Sequence, residues 1–80
     1  MDYVEIEDEK FITATINKIR ERYSNWRQIV ASGDRETTMR GKSVVTLYLK
    51  FEPVCQVEGD PEDIELFVAK LRELSQGGTE

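Results

Sequence analysis

Apolar residues recur along this chain at two different periods, and the change of period marks out its elements. Ile12, Ile16, Ile19, Tyr23, Trp26 and Val30 are spaced four, three, four, three and four residues apart. At about 100° per residue these six lie within about 40° either side of one line on a helix, whereas their alternating parity would scatter them over both faces of a strand. The spacing therefore predicts one helix over residues 8–31. Propensity argues the other way, because Thr13, Thr15, Ser24 and Asn25 are weak helix formers. A competing parse makes 27–32 and 35–40 the arms of a hairpin, with Gly33 and Asp34 at its turn.

Period two takes over at 43–51. Val45, Leu47, Leu49 and Phe51 fall on one face and Val44, Thr46, Tyr48 and Lys50 on the other, which predicts a strand. A second strand is expected at 54–58, after Glu52 and Pro53. Proline fits poorly into a two-residue turn with primed dihedrals, so the junction is expected to be a wider turn, a bulge or a cis-proline turn. Val4 and Ile6 alternate with acids over 3–7, the pattern of a third, short strand. The last element is written most plainly: Asp60 as cap, Pro61 at the first helical position, Glu62 and Asp63 against the dipole, then Ile64, Phe67, Val68, Leu71 and Leu74 at helical spacing. Residues 75–80 are polar and predict a flexible tail.

These elements describe a single α+β domain over 1–74. The order is α-β-β-α with a possible short N-terminal strand, and the helices are expected on one face of a small antiparallel sheet. Eighty residues leave a thin core that needs a supplement. With one cysteine and no histidine, an internal disulfide is impossible and the usual zinc ligand sets are missing. Cys55 sits in an apolar run and reads as a small core residue. Oligomerisation is the supplement left, and pairing the open edges of a small sheet across a two-fold axis would supply it. A homodimer is therefore expected.

Charge changes the picture next. Residues 1–9 carry five acids and no base, 10–50 carry nine bases against three acids, and 51–80 carry eight acids against two bases, leaving a net charge of −5. The basic middle either pairs with the acidic ends of its own fold or faces a polyanion. On the helical parse Arg20 and Arg27 flank the apolar stripe, which makes Arg20, Tyr23, Trp26 and Arg27 the candidate protein interface. The rival is a nucleic-acid surface of Arg35, Arg40, Lys42 and Lys50, with Thr37, Thr38 and Ser43 as phosphate donors. A sequence pI near 4.7 stands against it. A third reading makes the acidic ends a mimic of nucleic acid that inhibits a DNA-binding enzyme.

Candidate chemistry adds little. Gly41, Lys42 and Ser43 copy the end of a phosphate-binding loop, but Glu36 stands where that motif needs its first glycine and a strand follows instead of a helix. No nucleophile lies beside an evident base, so no enzyme activity and no cofactor are expected. Glu58, Asp60, Glu62 and Asp63 lack the spacing and the central glycine of a calcium loop, and no metal is expected. No stretch is long and apolar enough for a membrane span, and the acidic start is unlike a signal peptide, so the expected setting is cytoplasmic with no membrane partner. The function expected is a small non-enzymatic protein-protein interaction or regulatory module.

Overall fold

A computed structural model describes residues 1–77. Among them, strand β1 (Asp2–Glu5), helix α1 (Phe11–Arg22), a 3-10 turn (Trp26–Gln28), strands β2 (Val30–Ala31), β3 (Glu36–Thr37), β4 (Ser43–Leu49) and β5 (Glu52–Gly59), and helix α2 (Pro61–Gly77) follow one another. The strands form one sheet in the order β1-β5-β4-β2, with β3 pairing further along β4. The fold is α+β, as the pattern predicts. The sheet is mixed where an antiparallel one was expected: β1 runs parallel to β5, with Val4 opposite Val57, while β4 is antiparallel to β5, β2 and β3. A parallel partner needs a long connection, and here α1, β2, β3 and β4 all lie between β1 and β5.

Both helices close over one face of that sheet. Ile12, Ile16 and Ile19 of α1, with Ile64, Phe67, Val68 and Leu71 of α2, enter the same cluster as Val45, Leu47, Cys55 and Val57 of the central strands. Phe67 is fully buried at its centre. By the two-residue period of a strand, Thr46, Tyr48, Gln56, Glu58 and Tyr3 take the opposite face, which no helix covers.

The single helix predicted over 8–31 ends at Arg22, and weak helix formers are the reason. Tyr23 turns extended (φ −119, ψ 112), its N–H still donating to the Ile19 carbonyl. Ser24 and Asn25 then let the chain drop into the 3-10 turn, which keeps Trp26 over the core. The stripe thus stays in line as far as Trp26 without helical backbone. Beyond it the register shifts by one residue, so that Ile29 enters the core and Val30 faces solvent.

The hairpin parse about Gly33 and Asp34 is also corrected. β2 and β3 are successive pieces of one interrupted edge strand, both antiparallel to β4, with Val30 opposite Tyr48 and Glu36 opposite Val44. The reversal comes later, at 38–42, where Gly41 takes a left-handed φ of 80 and the Thr38 N–H donates to the Lys42 carbonyl. Gly41 and Lys42 belong to this turn, and Ser43 opens β4.

The β4–β5 junction lies two residues earlier than expected. β4 stops at Leu49, and a tight turn follows in which Lys50 (φ 54) and Phe51 (φ 70) are both left-handed. That is the primed geometry that matches strand twist, built without the usual glycine or asparagine. Pro53 lies inside β5, opposite Tyr48 and beside a register shift between Leu47 and Tyr48. It is tolerated because β1 pairs with β5 only from Cys55 onward, so the missing N–H costs no bond on that side. No cis peptide occurs among the described residues. At the C-terminus α2 starts at Pro61, as predicted, and runs through Gly77; the remainder of the 75–80 tail lies outside the described residues.

Candidate interaction surface

Trp26 is the hinge of the first candidate group. It is 8% exposed, and the guanidinium carbons of Arg20 and Arg27 stand 4.8 and 4.6 Å from its ring centroid. Arg27 also donates to the Leu74 carbonyl of α2 at 3.1 Å. Tyr23 donates from its hydroxyl to Asp2 at 3.1 Å and to the Val54 carbonyl at 3.2 Å. Of the four residues predicted as an interface, Arg20, Trp26 and Arg27 are thus brought together, while the Tyr23 hydroxyl turns to β1 and β5. The two aromatic rings serve the core, and the two arginines form a charged rim over the tryptophan.

Of the four residues of the basic alternative, Arg40 and Lys42 border one depression together with Glu5 and Glu58, and Arg35, Arg40 and Lys42 each meet an acid. Arg35 makes a two-pronged contact with Glu65 of α2, at 2.9 and 3.3 Å. Arg40 reaches Glu58 at 3.2 Å and Glu5 at 3.8 Å, and Lys42 reaches Asp60 at 2.6 Å. Arg22 adds a pair with Asp2 at 3.0 Å. Acids from both ends of the sequence therefore lie against the basic middle.

Glu58 is the most buried of these acids, at 5% exposure. It accepts hydrogen bonds from the Tyr3 hydroxyl and from Arg40, so one carboxylate joins β1, β5 and the turn before β4. A neutral phenol bound to that carboxylate resists ionisation, and the Tyr3 pKa is raised chiefly for this reason. Among the described residues no three potential metal ligands converge.

The remaining face was not anticipated. Phe51, at the tip of the β4–β5 turn, is 98% exposed, and Val30 on the edge strand is 64% exposed. With Tyr48 and Lys50 they border a depression of about 460 Å³. Alternation along 45–51 assigned Phe51 to the core face, and only the turn geometry expels it. Proline at 53 was the one hint that the reversal lay elsewhere, and Lys50-Phe51 carries no turn residue to point to it.

Compared with protein-family models, curated proteins and solved structures, the chain matches none.

Proposed function

We propose that the chain is a small non-enzymatic protein-interaction module that works as a homodimer. The observation that carries this reading is a sheet covered on one face only. Among the described residues β1 and β2 each lack a strand on their outer side, and the turn beside β2 holds Phe51 in solvent. Open edges and an exposed aromatic are the features that a second protein surface satisfies. The nucleic-acid reading draws less support, since Arg35, Arg40 and Lys42 already face carboxylates. The same pairs engage Glu5, Glu58, Asp60 and Glu65, which weakens the reading of the acidic ends as a nucleic-acid mimic. A single buried thiol suits a reducing, cytoplasmic setting. No helix among the described residues is long and apolar enough to cross a membrane.

Sedimentation equilibrium tests the reading. Mass should rise from that of the 9.3 kDa chain toward twice that value as concentration increases through the micromolar range, with no further rise when single-stranded oligonucleotide is added. A constant monomer mass would overturn it.

A further inference from the structure

We infer that the β4–β5 turn is the self-docking surface, with the Phe51 rings of two copies exchanged across a two-fold axis. This inference rests on the homodimer reading above and names the residues through which the dimer forms.

The backbone provides the first observation. Lys50 and Phe51 both hold positive φ, 54 and 70, a region that a bulky aromatic residue enters only at a cost. Glycine or asparagine would fit this turn without strain. The sequence instead places its most exposed aromatic there, and strained positions of this kind cluster at binding sites.

The second observation is shape. Phe51 forms one wall of the 460 Å³ depression, and Val30, Ala31 and Tyr48 contribute to the rest of its lining. One protomer thus carries both the projecting ring and a seat for such a ring. A two-fold contact requires this self-complementarity, because the same patch is used twice.

Charge supplies the third. Phe51 stands between Lys50 and Glu52, both exposed. When two such turns lie antiparallel about a two-fold axis, Lys50 of each copy faces Glu52 of the other, so two opposite-charge pairs flank the exchanged rings. The tip is therefore neutral and self-complementary on a chain of net charge −5.

Size sets the strength. An aromatic side chain buries about 150–250 Å². With the exposed parts of Val30 and Tyr48 and a polar rim, the contact removes on the order of 400–500 Å² per copy, or about 800–1,000 Å² in the pair, below the usual range of stable interfaces. The dimer is thus a weak one, with Kd in the tens to hundreds of micromolar.

The experiment compares sedimentation equilibrium of the full chain with that of Phe51→Gly, Lys50→Glu, Glu52→Lys and the double variant Lys50→Glu/Glu52→Lys. Thermal melts at low micromolar concentration, where the monomer dominates, accompany each. Phe51→Gly should weaken association at least about tenfold and yet melt at a higher temperature, because glycine relieves the left-handed strain. A folding defect would lower both. Each single charge reversal should weaken association about three- to tenfold, and the double reversal should restore it. A dimer that persists unchanged in Phe51→Gly would overturn the docking surface while leaving the homodimer reading intact. A charge swap that fails to restore association would overturn the antiparallel two-fold arrangement. A wild-type chain that stays monomeric to millimolar concentration would overturn the inference and the reading together.

Discussion

Lys50 occupies left-handed backbone in the tight turn between β4 and β5, a conformation that costs an L side chain about 1–2 kcal/mol. Part of any relief by glycine is offset by the greater freedom of the unfolded chain, about 0.4–1 kcal/mol. Lys50→Gly should therefore stabilise the fold by about 0.5–1 kcal/mol, raising the melting temperature by a few degrees. A lower midpoint would mean that the turn has another geometry. Three groups at this scale also couple stability to alkaline pH. Burial first, and then the charge of Asp2, raises the Cys55 thiol above its ordinary 9.0. Burial first, and then the hydrogen bond to Asp2, raises Tyr23 above 10.0, and Tyr3 is raised chiefly by its bond to Glu58. Each group keeps in the folded state a proton that the unfolded chain gives up sooner, so its contribution is complete below the unfolded value and is lost as pH climbs through the folded one. Urea midpoints taken from about pH 8 to about pH 11 under reducing conditions should fall above about pH 9, and Tyr23→Phe should flatten the part above about pH 10. An equal slope in that variant would remove Tyr23 from the account.

At the scale of elements, the start of α1 depends on Asp8. Its carboxylate accepts from the Lys10 N–H at 2.9 Å and its carbonyl accepts from the Phe11 N–H at 3.0 Å, so it satisfies donors that the first turn leaves open. Asp8→Ala should cost about 1 kcal/mol in urea unfolding, and an unchanged midpoint would show that the turn holds without the side chain. Phe67→Ala, at the fully buried centre of α2's inner face, should cost about 3–5 kcal/mol. α2 was legible because its proline, acids and apolar spacing all agree. α1 was legible only to Arg22, since periodicity reports which residues face the core and not whether the backbone between them is helical. Trp26 satisfies the same stripe from a 3-10 turn. β2 and β3, at two residues each, are too short for any alternation to register, and the parallel pairing of β1 has no local signature because its partner is 53 positions away, with Asp2 opposite Cys55. The candidate surface was hidden for a related reason: a turn of Lys and Phe looks like the end of a strand.

Over the whole molecule, the sorting of charge along the sequence becomes pairing in space. Arg22 meets Asp2, Arg35 meets Glu65, Arg40 meets Glu5 and Glu58, and Lys42 meets Asp60, so the acidic ends lie against the basic middle and lower its potential. Most of these partners are well exposed, and pairs of that kind contribute under about 1 kcal/mol each to stability. Their larger effect is on what the surface attracts, because a polyanion must displace a carboxylate already in place at each of these cations before it gains a contact. Titration of labelled single-stranded and duplex oligonucleotides at two salt concentrations should therefore show binding weaker than about 100 μM near physiological salt, within the non-specific range. Neutralising Arg35, Arg40 and Lys42 together should change that affinity little, while exposing Glu65, Glu58 and Asp60. Micromolar binding with a steep salt dependence, lost in the triple variant, would mean that the pairs open readily and that the basic middle is a nucleic-acid surface after all.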